Sequence, residues 1–200
     1  MDKKLFYYMS LFLYSLRYKE NITKNAVFRY IYIFTVANSY LNNDDENIIL
    51  DELTIDSEIG IVNASQMEDT LAMLNSQNYI LLKGFKINIC EKLENYCNKR
   101  QKESEKFNND LKAISYFVNL ISSYSDEIVL SVFFNEPNIE EALSRNKTEI
   151  SLNDNQLYNL LVKFQNNAKS AGVILENYDA FISWLDFVFE EYLEGKKMNG

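Results

Sequence analysis

The chain's strongest constraint on its fold is what it lacks: in 200 residues there are five glycines and one proline. These residues punctuate loops and end helices, so their scarcity predicts long helices joined by short connections. The first helix reads from Leu5 to Tyr18. It is apolar on nearly every face and so has to be enclosed by neighbours or by a partner. A break follows at Asn21–Thr23, where Thr23 or Asn21 can cap the next helix. In that helix, Asn25 to Leu41, Val27, Tyr30, Ile31, Phe34 and Ala37 recur at helical spacing.

Length suits one domain or two small ones. A chain 47% hydrophobic and 24% charged belongs to the globular class rather than the disordered one. Fourteen tyrosines and thirteen phenylalanines can serve a core as well as protein-facing surfaces. An AT-rich genome would favour the same residues.

Asn42 to Asn47 is a solvated acidic loop, without the central glycine and final glutamate of a calcium loop. Ile48 to Ile55 reads equally as a short strand or one helical turn. Ala64 to Gln77 is a helix, with Ala64, Met67, Leu71 and Leu74 in one stripe and Ser65 or Asn63 as its cap. Tyr79–Leu82 and Phe85–Ile89, flanking Lys83-Gly84, predict a β-hairpin. Helices, then a one-stripe helix, then a hairpin, is the order of a winged helix.

Beyond it the stretch Glu91–Asp110 is polar and charged yet rich in helix formers, which predicts a helical linker. Leu111–Tyr124 is an amphipathic helix, and Asp126–Phe134 a short apolar segment broken by Asn135-Glu136-Pro137. Asn138–Ser144 is a short helix. Another helix starts at Ser151–Gln156 with Asn153 as cap and ends at Gly172. The last helix spans Tyr178–Leu193, and its apolar residues cover well over half the circumference. That is too wide for one core face, so part of it is expected to meet another chain. The expected fold is mainly α with a small β-hairpin: a winged-helix-like domain over 1–97, then a helical domain over 98–200 joined by the charged helical linker.

Charge is unevenly placed along the chain. Residues 1–43 hold six Lys/Arg and two acids, while residues 44–82 hold nine acids and no Lys/Arg. DNA contact is therefore expected only through the basic helices of residues 3–30, if at all. Cys90 and Cys97 match no zinc spacing, and the chain has no histidine to complete one. Reduced thiols in a cytoplasmic protein are the expectation. Met1–Lys4 before Leu5–Leu16 has the outline of a signal peptide. The apolar run carries three tyrosines, lacks a small-residue cleavage site and is too short to span a bilayer, so a buried helix is expected.

Familiar catalytic chemistry is missing. Without histidine the commonest general base is gone. There is no phosphate-binding Gly-x-x-x-x-Gly-Lys loop, no Gly-x-Ser-x-Gly elbow and no dinucleotide-binding glycine turn. Adjacent acids such as Glu140/Glu141 and Glu190/Glu191 do not face each other on a helix. The chain is expected to be no enzyme, with no cofactor and no small-molecule substrate. A winged helix reads DNA with basic or amide side chains on its second helix. Here that face offers Ser65, Gln66, Glu68, Asp69 and Thr70, and the wing adds only Lys83 and Lys86. Such a face suits protein docking better than phosphate.

Several strings together resemble the small middle components of ABC-three-component systems, including the Lamassu-type anti-phage defence systems. They are Leu5–Tyr18, Phe28-Arg29-Tyr30-Ile31-Tyr32-Ile33, Ile55-Asp56-Ser57-Glu58-Ile59-Gly60, Phe134-Asn135-Glu136-Pro137 and Trp184–Leu193. The resemblance implies a bacterial, non-catalytic adaptor, comparable to the winged-helix accessory subunits of SMC complexes. It would link an SMC-like ATPase to an effector nuclease and touch DNA only through the complex. The residues expected to bind partners are Glu68, Asp69, Lys83 and Phe85 on the winged-helix face, and Trp184, Phe187 and Tyr192 on the last helix. Two rivals are a winged-helix DNA-binding transcriptional regulator and a self-associating phage or structural assembly protein.

Overall fold

The computed structural model describes residues 3–42, 52–56, 61–63, 65–151 and 155–198. The acidic loop after Asn42, Ser57–Gly60, Ala64 and the expected cap Asn153 lie outside the described residues. In chain order the elements are α1 (Lys3–Leu16), α2 (Lys24–Asn42), β1 (Glu52–Asp56), β2 (Ile61–Asn63) and α3 (Ser65–Ser76). Then come β3 (Ile80–Lys83), β4 (Lys86–Ile89), α4 (Glu91–Glu103), α5 (Glu105–Ile121), α6 (Asp126–Phe134) and α7 (Pro137–Ser144). The chain ends with β5 (Glu149–Ser151), α8 (Gln156–Ser170) and α9 (Asn177–Met198). The protein is mainly helical with a small antiparallel hairpin, as its glycine and proline content predicts.

Two compact units divide the chain: residues 1–31 with 61–124, and residues 32–60 with 125–200. The division is discontinuous in sequence. The expected boundary at 97/98 falls inside α4, whose Leu93 and Cys97 are fully buried. A polar helix needs only one apolar residue per turn to dock, and that sparse stripe looks like a linker in the sequence.

In the first unit α1 packs against α3, α4 and α5. Leu5, Met9, Leu11, Phe12 and Leu13 lose all contact with solvent, each side chain contributing about 1.5–3 kcal/mol. The facing stripe of α5 is Phe107, Leu111, Ile114, Phe117, Val118 and Ile121. Phe12 meets Phe117 edge-to-face at 6.3 Å, the arrangement ring quadrupoles favour. Ser104 separates α4 from α5, and its side chain accepts from the Phe107 N–H at 3.2 Å as a cap. Thr23 caps α2 likewise, accepting from Ala26 N–H at 3.3 Å.

The hairpin pairs Ile80 with Ile89 and Lys83 with Lys86. Its two turn residues are therefore Gly84 and Phe85, one position later than the sequence suggested. Gly84 takes φ +62, a positive value that a side chain resists and that a two-residue turn asks of its first residue. Thr23 forms an isolated bridge with Lys86, and Ile87 N–H donates to Ile22 C=O at 2.9 Å. The chain entering α2 thus lies along the outer edge of the hairpin.

In the second unit α6 and α8 each pack against α9, and α7 packs against α8. Phe133, Ile139, Leu157, Leu161, Ala180 and Phe181 are fully buried. β1 pairs antiparallel with β5, Leu53 opposite Ile150. This resolves the ambiguous stretch before residue 56 as a strand where it is described. The α8 cap is Asn155, accepting from Tyr158 N–H at 3.1 Å.

Candidate functional site

Two surfaces were expected to bind partners, one in each unit. On the first, Glu68 of α3 pairs with Lys24 at the start of α2, Nζ to Oε1 2.6 Å. The Lys24 ammonium also sits 5.5 Å from the Phe85 ring centroid, and the Lys24 N–H donates to the Phe85 carbonyl at 2.9 Å. Phe85 remains 63% exposed at the hairpin tip. Lys24 therefore brings Glu68 and Phe85 together, while Asp69 and Lys83 stand in solvent without joining them. Thr70, expected on the exposed face, is buried and donates its hydroxyl to the Gln66 carbonyl at 2.8 Å.

The second surface lies on α9. Trp184 was expected to face a partner, yet only 7% of it is exposed and it stacks on Phe181 at 5.9 Å. Leu185, Val188 and Phe189 are buried too, so most of the wide apolar circumference is core. Phe187 is the exception at 60% exposure. Tyr192 falls outside the described side chains. Beside Phe187 runs a cavity of ≈ 590 Å³ between α7, α8 and α9. Its apolar lining is Leu160, Phe164, Trp184, Phe187 and Val188, and its charged lining is Glu140, Lys163 and Glu191. Sequence reasoning missed the α8 half of this wall. Leu160 and Phe164 are four apart and exposed on an otherwise polar face, a pattern that could have been read as a second stripe.

Sequence reasoning also took Asn135-Glu136-Pro137 as a simple break, and it is a cap. Glu136 has no solvent exposure. Its carboxylate accepts from the backbone N–H groups of Asn138 and Ile139, both at 3.2 Å, and from Asn138 Nδ2 at 2.7 Å. The Tyr32 hydroxyl donates the fourth bond at 2.5 Å. Pro137 occupies the first turn, where its missing N–H costs nothing. Burial raises the Glu136 carboxyl above its ordinary value, against the pull of these four donors. The Tyr32 phenol is pushed well up by burial and then by the neighbouring carboxylate, so it remains a donor. Asn138 Oδ1 in turn accepts from Gln156 N–H at 2.8 Å, and Asn155 Nδ2 donates to the Val36 carbonyl at 2.6 Å. Every polar atom of Glu136 is thus spent on structure.

Charge separates the two units sharply. Residues 1–31 and 61–124 carry fourteen Lys/Arg and nine Asp/Glu, net +5. Residues 32–60 and 125–200 carry six and twenty, net −14, which together give the −9 of the whole chain. No family model, curated protein or solved structure matches the chain. Its surfaces have to be read on their own.

Among the described residues no group of three or more His, Cys, Asp or Glu is placed to hold a metal ion. Cys90 and Cys97 are both free thiols. Cys97 is buried, and burial pushes its thiol up to about 12. Among the described residues no helix is long and apolar enough to cross a membrane.

Proposed function

We propose that this chain is a non-catalytic adaptor subunit of a multi-protein anti-phage defence complex, bridging an SMC-like ATPase and an effector nuclease. The observation that carries the adaptor role is the apolar groove beside α9, with Phe187 standing 60% exposed at its wall. Large exposed aromatics next to a groove are what protein-binding anchors look like. The identity of the partners rests on the resemblance stated above. We read the first unit as winged-helix-like, from its order of helix, edge bridge at Thr23, two helices and hairpin. The acidic Glu68 beside Phe85 then gives it a protein-facing surface. Free thiols fit a cytoplasmic setting.

Purification of the tagged chain expressed from its native operon, with mass spectrometry of what accompanies it, tests this directly. The expected result is an ATPase and a nuclease encoded alongside it. Recovery of the chain alone overturns the adaptor role, and self-association without a foreign partner would favour an assembly protein.

A second reading draws on the net charge of +5 on the first unit, which favours a DNA-binding transcriptional regulator. It predicts that the isolated chain shifts duplex DNA with strong salt dependence. No shift at low salt removes it.

A further inference from the structure

We propose that the groove of the second unit takes a basic amphipathic helix from a partner protein. The proposal rests on reading that groove as a docking site and adds the chemistry of its occupant. The groove's walls are helices α7, α8 and α9. Such walls offer no free strand edge, so an extended peptide seated there would leave its backbone N–H and C=O groups without partners. A helix satisfies its own backbone and presents side chains at i, i+3, i+4 and i+7 to an apolar groove. Leu160, Phe164 and Phe187 supply the matching surface, each at least 40% exposed.

The sign of the charge follows from the unit as a whole and from the groove within it. The unit that contains the groove carries net −14, which steers cations towards it and repels anions. At the groove itself Glu140 and Glu191 join no ion pair among the described residues. Among the described residues Lys163 is the one cation in the lining. An acidic helix would meet two carboxylates and a strongly negative unit, whereas a basic helix pairs with both.

The full-length protein carries its own reporter, because Trp184 is the chain's single tryptophan and lines the groove. The probe is a synthetic peptide of about 18 residues, five helical turns, with leucine at i, i+3, i+4, i+7 positions and lysine elsewhere. A leucine/glutamate peptide of the same pattern is the control. The lysine peptide is expected to change Trp184 emission saturably and the glutamate peptide to leave it unchanged. Phe187→Ala, which removes an exposed ring and spares the core, should weaken binding about tenfold, as loss of a central anchor does. Glu140→Lys with Glu191→Lys should do the same, while Asp179→Lys, exposed and outside the lining, should change affinity less than about threefold.

Equal binding of the two peptides overturns the proposal. So does a loss for Asp179→Lys as large as for the double variant, since that would be attraction to the unit as a whole. Should Phe187→Ala abolish copurification from the operon while the lysine peptide fails to bind, the occupant's chemistry is wrong and the docking role stands. A native complex that never forms removes the docking role itself.

Discussion

The two units bury polar groups in opposite ways. In the first, the buried polar side chains among the described residues are Ser10 and Thr70. Each hydroxyl donates to the carbonyl four residues back in its own helix, Phe6 and Gln66. Longer-range polar contacts there include Tyr7 OH donating to Asp110 at 2.7 Å, Tyr14 OH to Asn98 at 2.6 Å, and the buried Cys97 thiol facing the Ser10 carbonyl at 4.0 Å. In the second unit Thr35, Asn38, Glu136 and Asn138 are buried, and the last two tie α7 to α2, far earlier in the chain, and to α8. The interior of the first unit, where it is described, is therefore mostly apolar, which tolerates approximate fit. The second adds a network that is favourable only when every member is satisfied. A unit of net −14 also encloses one of its carboxylates, so its stability is tied to charge in a way the first unit's is not.

Each unit has a native reporter for testing that contrast. Cys97 belongs to the first, with a thiol that burial pushes up to about 12, and Trp184 belongs to the second. At neutral pH a thiol reagent is expected to label Cys97 only as the first unit opens. The largest effect should come from Phe107→Ala. Its ring is 1% exposed and meets Tyr7 at 5.5 Å and Tyr96 at 6.5 Å. Truncation leaves a cavity costing about 3–5 kcal/mol, read as faster Cys97 labelling and a lower urea midpoint. If Trp184 fluorescence moves by the same amount, the two units unfold as one and the contrast fails.

Glu136→Gln comes next. The amide turns a donor group towards backbone N–H groups that can only donate, leaving at least one of them unmatched at about 1–3 kcal/mol. Trp184 should report the loss at neutral pH. The pH dependence has a definite sign. Burial raises this carboxyl in the folded chain above 4.5, so the native state holds its proton more readily than the unfolded state does. That contribution is fully present below 4.5 and is lost as pH rises through the folded value. Wild type should thus gain on the variant as pH falls towards 4.5. A gap that stays constant with pH would show that Glu136 does not titrate with folding.

The contrast also explains what the sequence revealed. Apolar periodicity is local, so α2, α3 and α9 could be placed from Val27, Met67 and Phe181 and their spaced neighbours, whereas α5 begins at Glu105, ahead of the expected Leu111. The hairpin was legible because Gly84 sits between two β-prone runs. Three-residue β5 carries no local signal, and its partner β1 lies about a hundred residues away in the chain. Only tertiary pairing makes it a strand. Glu136-Pro137 is a readable helix start, but nothing local says that Tyr32 completes it. Of the two ring residues expected to meet a partner, Phe187 is exposed and Trp184 is not, because width of an apolar stripe does not say which edge the neighbours cover.

The smallest effect sharpens the comparison most directly, since it sets one glutamate against another. Glu68 in the first unit pairs with Lys24 at 2.6 Å, but its side chain is 38% exposed. Water and salt screen such a pair, so Lys24→Met should cost only about 0.2–1 kcal/mol, and high salt should erase the difference. The backbone bond from residue 24 N–H to the Phe85 carbonyl survives the change, so the hairpin stays attached. What is lost is the ammonium near the Phe85 ring, which should raise that ring's mobility in side-chain relaxation measurements. A cost near that of Glu136→Gln would mean that burial is not what separates the two carboxylates, and the distinction between the units would have to be drawn elsewhere.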